Sequence, residues 1–181
     1  VHLEAFIESF QEIKKYRSLE LHVITDEFDI SPLLNFKKNN KLRLERIFGV
    51  SNLVFHKWEI TSFAKIIKTC DLAIIPCNSD YEDYFNYKSA NKARIFWEIG
   101  IPVLCSPSIE HYLIKANTNL DFICEDRDSW VRNISKLSKS IDARKKNVSS
   151  GKKYFSEKFS ESNIYAEWIR VFNSIGENIQ K

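Results

Sequence analysis

The stretch over 86–106, NYKSANKARIFWEIGIPVLCS, carries the side chains best spaced for chemistry. Lys88, Ser89, Asn91 and Lys92 stand together in front of an apolar helical pattern that stops at Gly100-Ile101-Pro102 and runs into a strand. Free amides at the start of a helix, backed by the helix dipole, favour an anion, and two lysines within one turn add formal charge. A phosphate or diphosphate fits such a mouth. Ser89 suits the N-cap, where its hydroxyl would accept from an amide inside the helix, and Asn91 can donate and accept toward a ribose or sugar hydroxyl. The simpler reading makes Ser89 only a cap, the lysines solvated, and Gly100 a helix stop at positive φ.

A mouth of this kind needs a sheet behind it. Leu3, Phe6, Ile7, Phe10 and Ile13 recur at helical spacing over 2–16, and LELHVIT (19–25) follows as a strand. LVFHKW (53–58) reads as a strand, Thr61 to Thr69 as a helix, and DLAIIP (71–76) as a strand so apolar that both faces need cover. Beyond the helix from about Ser89 to Ile99 come the strand PVLCS, a short helix near 108–116 and the strand DFICED (121–126). A helix from about Asp128 carries Trp130, Ile134, Leu137 and Ile141 on one face; a final amphipathic helix from Ser160 carries Ile164, Trp168, Phe172, Ile175 and Ile179. Both faces call for a neighbour. Strands alternating with helices predict an α/β fold, a Rossmann-like doubly wound parallel sheet with its ligand outside the carboxyl ends of the strands.

Length and composition bound the rest. A chain of 181 residues reads as a single domain, able to bury roughly two-thirds of its unfolded surface. Hydrophobic residues make up 44% and charged residues 28%, ordinary globular values, and no apolar run suits a membrane span. The net charge of +3 is far from the footprint of a nucleic-acid binder. It is uneven, however: nine Lys or Arg fall between 132 and 158, a face that would meet an anionic membrane or, more simply, water. The chain has no methionine and opens inside a helical pattern at Val1-His2, which reads as a piece of a longer protein whose first strand lies upstream. Cys70, Cys77, Cys105 and Cys124 form no CxxC pair and suit reduced thiols in a cytoplasmic protein. With four glycines there is neither GxGxxG nor GxxxxGK[ST], which excludes a dinucleotide fingerprint and a P-loop.

The run K-S-x-N-K, an apolar helix and G-I-P-V-L-x-S resembles the donor-binding half of group 1 nucleotide-sugar glycosyltransferases of the GT-B fold. The LHVITD strand, the Trp58-Glu59 turn, CDLAIIP, FICEDRDSWV and the KYFSEKFS…Trp168…Phe172 tail are similar to that domain in the same order. The resemblance covers about 3–173 and implies transfer of a sugar from a UDP- or GDP-sugar to a glycan or other acceptor. This chain would be the C-terminal half, facing an N-terminal acceptor domain and needing no cofactor or metal. Carried over, Lys88, Ser89, Asn91 and Lys92 hold the diphosphate, while Trp58, Glu59 and Thr61 face the nucleobase or ribose. Ile95 stands where many members carry a ribose-binding glutamate; Glu98, two residues before Gly100, is not promoted to that role. The rival class is a non-catalytic nucleotide-binding or protein-interaction α/β module, and a receiver domain would want an acidic mouth instead.

Other candidates have weaker claims. Asp26 ends a strand and reads as readily as a cap. Asp80, Glu82 and Asp83 are interleaved with Tyr81, Tyr84, Phe85 and Tyr87, which suits a substrate-facing loop better than a cation site. His56 alternates with Val54 as a structural residue, and His2, His22 and His111 show no nucleophile or carboxylate at a telling spacing, so no hydrolytic triad is expected. Cys77, Cys105 and Cys124 fall near strand ends without zinc spacing.

Overall fold

The computed structural model describes residues 3, 6–25, 42–77, 86–87 and 89–179. Helix α1 (Ile7–Lys14) precedes β1 (Leu21–Thr25), and a helix over 42–48, α2, leads into β2 (Leu53–Lys57). Then come α3 (Phe63–Lys68), β3 (Ala73–Ile75), α4 (Asn91–Ile99), β4 (Val103–Cys105) and α5 (Ile109–Thr118). Three helices close the chain: α6 (Arg127–Lys139), α7 (Ile141–Lys158) and α8 (Glu161–Ile179). The fold is mixed α/β.

Every strand pairing among the described residues is parallel. β1 pairs with β2 from Leu21↔Leu53 to Thr25↔Lys57, and β3 with β4 from Ala73↔Val103 to Ile75↔Cys105. The expected single sheet is therefore seen as two pairs. The expected strand over 121–126 shrinks to one parallel bridge, Cys105↔Ile123, held by Cys105 N–H to Phe122 O (2.9 Å) and Cys124 N–H to Cys105 O (2.8 Å). The reason lies in the next residues. Asp126 accepts from Ser129 N–H (2.7 Å) while the Ser129 hydroxyl receives Asp126 N–H (3.0 Å), a capping box that turns the chain into α6.

The core centres on Trp97 of α4, fully buried. Its indole N–H donates to Asn147 Oδ1 of α7 at 2.8 Å, and the same oxygen accepts Val103 N–H at 2.9 Å. Asn147 Nδ2 completes the contact by donating to Val103 O at 3.1 Å. One buried amide thus ties α7 to both α4 and β4. One turn on, Gly151 lies flat against the Trp97 ring, where an added Cβ would sit 2.2 Å from Trp97 Cδ2. Phe155, a turn further, closes the face with its ring 5.9 Å from Trp97, and Phe122 meets the indole edge-on at 5.3 Å. A second aromatic row, Trp130–Phe6–Phe10–Phe48, fastens α1 to α6 and α2.

Helix ends account for two further details. Gly100 takes φ 100°, its N–H reaching Phe96 O and Trp97 O, so α4 stops where the sequence predicts. Ser140 interrupts the run after α6, and its hydroxyl accepts Ala143 N–H (3.1 Å) to start α7. Ile141 therefore begins a new helix and is exposed, contrary to its expected position on the α6 face. The neighbour expected over α8 is likewise not among the described residues: Trp168 and Phe172 stack on each other at 5.8 Å and remain 57% and 60% exposed. No helix among the described residues is long and apolar enough to cross a membrane.

Two substitutions test the Trp97 contact by urea unfolding. Gly151→Ala gains a little helix propensity but drives a methyl into a buried ring, and a net loss of about 1–3 kcal/mol is expected. Asn147→Leu strands the Trp97 and Val103 N–H groups and should cost on the order of 3 kcal/mol. An unchanged midpoint for Gly151→Ala would mean that the indole moves aside.

Candidate functional site

Two helix starts converge where β3 and β4 end. Ser106, just past β4, donates its N–H to Ile75 O at 3.0 Å, and its hydroxyl accepts Cys77 N–H at 2.8 Å, locking the chain after β3 to the chain after β4. Ser108 caps α5 by accepting His111 N–H at 3.2 Å. The buried His111 ring turns back so that Nδ1 donates to Ser106 O at 2.9 Å. Burial holds this imidazole below the ordinary histidine value, while the Ser106 carbonyl and Glu110 pull the other way. The ring faces the carbonyl of Ser106 and not its hydroxyl, so these two residues form no nucleophile–base pair.

Glu110, in the first turn of α5, reaches across to the start of α4 and accepts the N–H of Ala90. This corrects the expectation for Ser89. The N-cap of α4 is Ala90, with no side-chain cap, and the carboxylate of another helix accepts the N–H of the cap residue itself. A carboxylate near two helix starts is electrostatically well lodged, since each dipole presents its positive end.

Ser89, Asn91 and Lys92 are exposed around this junction. Lys88 lies outside the described residues, as do Asp26, Asp80, Tyr81, Glu82, Asp83, Tyr84 and Phe85. Ile95 is 44% exposed on α4, an apolar side chain where the resemblance implies an acid. The other candidate group follows β2. Trp58 N–H donates to Thr25 O at 2.7 Å, which extends the β1–β2 ladder by one bond, and the turn closes through Ser62 N–H and Phe63 N–H to Glu59 O. Trp58 is 47% exposed, Glu59 and Thr61 are exposed, and Lys57 pairs with Glu59 at 3.9 Å. Phe63 meets Phe96 at 6.3 Å, so the helix leaving this turn packs on α4.

Three participants escaped the sequence reading. Glu110 and Ser106 act across long sequence separations; the only local sign was a Ser-x-x-His start with an acid in the first turn. His111 does have a carboxylate neighbour in sequence, Glu110. His22 has one too, its Nε2 lying 2.7 Å from Oε1 of Glu20 two residues before it. Among the described residues no three His, Cys, Asp or Glu side chains gather as a metal site. Burial raises the Cys105 thiol well above its ordinary value and pushes Cys124 up to about 12.

Those two thiols should resist iodoacetamide at pH 8 in the native protein and react only on unfolding, with the partly exposed Cys70 and Cys77 modified first. Peptide mapping reads the order directly, and early labelling of Cys124 would contradict the burial described. Comparison of the sequence with protein-family models and with curated proteins finds no match.

Proposed function

We propose that this chain is the C-terminal, donor-binding half of a GT-B-type glycosyltransferase, holding a nucleoside diphosphate sugar for transfer to an acceptor bound by an N-terminal domain. The observation that carries the reading is the convergence of the α4 and α5 starts at the carboxyl ends of paired parallel strands, rimmed by Ser89, Asn91 and Lys92. In this reading Lys88 and Lys92 neutralise the diphosphate, Ser89 and Asn91 bond its oxygens or a sugar hydroxyl, and the Trp58–Thr61 turn meets the base. The half-site contributes preorganised positive charge toward the leaving group.

The strand pairing supports a Rossmann-like sheet behind the site. An order 3-2-1-4-5-6 makes β2 and β1 its third and second strands, and β3, β4 and the Ile123 bridge its fourth to sixth. That order calls for one further strand between β1 and β3. The half-buried state of all five β1 residues is in keeping with it.

The second reading, a non-catalytic α/β module, draws on Glu110 and Ile95: the amide is already occupied and the ribose-binding acid is replaced. Calorimetric titration with UDP, GDP and ADP separates the two. In the first reading one diphosphate binds, and Lys92→Ala weakens it by about tenfold, the loss of one charge-assisted contact. Glu110→Gln strengthens it, because a competing anion is removed. Failure of all three nucleotides to bind the full-length protein would favour the module.

A further inference from the structure

The β1–β2 pair carries three side chains that the proposed site does not use. His22 and His56 sit on one face of the pair, His22 opposite Val54 and His56 opposite Ile24, so the two imidazoles meet diagonally. Their facing nitrogens, His22 Nδ1 and His56 Nε2, are 2.9 Å apart, and the rings are nearly coplanar at 15° with centroids 5.0 Å apart. A centroid separation that exceeds the nitrogen contact by about two ring radii means that the imidazoles lie end to end, not face to face. At the far end His22 Nε2 meets Glu20 Oε1 at 2.7 Å. The array is a linear carboxylate–imidazole–imidazole relay.

Its proton count is restricted. An ionised carboxylate only accepts, so His22 donates from Nε2 and, when neutral, offers Nδ1 as an acceptor to His56 Nε2–H. One added proton can be carried by either ring with a single hydrogen still between the facing nitrogens, and Glu20 favours that cation. A second added proton puts a hydrogen on both nitrogens, which ends the bond and sets two cations in contact.

We propose that Glu20, His22 and His56 form a proton-sensing clamp between β1 and β2 that takes up one proton and is opened by a second, releasing the Trp58 turn. The coupling to the turn is geometric: His56 precedes Trp58 by two residues, and the Trp58 N–H to Thr25 O bond is the next rung of the same ladder. The charged surroundings among the described residues are few. Glu20 is also felt by the Cys70 thiol, which stands beside Asp71, while Lys57, the last residue of β2, pairs with Glu59. Partial burial and the charge of His22 lower the proton affinity of His56, with Glu20 opposing. A histidine held below its unfolded value of about 6.5 stabilises the fold above that pH, and the contribution is lost as pH falls below it.

The test is a proton NMR titration of the imidazole rings in the full chain, with hydrogen exchange of the β1–β2 amides followed from pH 7.5 to 5. The pair should titrate in two steps separated by more than one pH unit. Protection of the ladder, corrected for intrinsic exchange, should fall by up to about tenfold per pH unit below ~6, the limit for one proton fewer bound in the folded pair. His56→Gln should abolish the fall in protection below ~6, whereas Glu20→Gln should keep it. His111, whose ring is also held low, is assigned separately by His111→Gln. Independent titration of His22 and His56 near 6.5, or pH-dependent protection unchanged in both His56→Gln and His22→Gln, would overturn the proposal.

Discussion

The orientation of α4 rests on one buried contact, the Trp97 indole held between Asn147 and Gly151 of α7. Asn147 acts as a short stand-in for a strand, meeting the N–H and C=O of Val103 as a neighbouring chain would, while giving its remaining acceptor capacity to Trp97. An apolar residue there would leave two buried donors unpaired, and any side chain at 151 would strike the ring. Polar satisfaction and shape are met by the same two positions of one helix, so α7 can lie on α4 in one register.

That register governs the mouth. The start of α4 lies two turns from Trp97 on a helix too short to bend, so rotation about the Trp97 contact would swing Ala90 away from Glu110 and carry Asn91 and Lys92 with it. The other wall is set independently, by the Ser106 bonds to Ile75 and Cys77 and by the His111 ring beneath Ser106. Glu110 joins the two walls. Its carboxylate is the cross-link between them.

Local chemistry was legible in the sequence, and cross-chain chemistry was not. Gly100-Ile101-Pro102 announces the end of α4 because positive φ followed by proline leaves a helix no continuation, and the runs around Ile74 and Leu104 read as strands because both faces are covered. The buried face of α7 was hidden for the opposite reason: its inward residues are Asn147, Gly151 and Phe155, an amide, a glycine and one aromatic, in a background of lysine. Apolar periodicity has almost nothing to register there. The His22–His56 pair needs the β1–β2 register, in which the diagonal partner is fixed only once Leu21 is set against Leu53. Ser89 misled because a serine before a helix is a good cap by local rules, yet the helix takes its cap one residue later, at Ala90, whose own N–H goes to the Glu110 carboxylate.

If the proposed donor site is right, Glu110 changes what its mouth can select. A site of free amides and lysines would take any phosphate, whereas one already holding a carboxylate takes only a ligand that either displaces it or uses it. Displacement asks the ligand for more than one negative charge, since a monoanion gains little by replacing another monoanion at the same amide. Use asks for hydroxyl donors within reach of an oxygen that Ala90 does not occupy, which is the chemistry of a sugar and not of a bare phosphate. A sugar joined to a diphosphate satisfies both conditions in one molecule: its phosphates can pair with Lys92 at the rim while a hydroxyl donates to Glu110 within. In the proposed reading the internal anion suits a nucleotide-sugar donor better than inorganic phosphate, and the neighbouring helix offers the Glu110 carboxylate where Ile95 offers none.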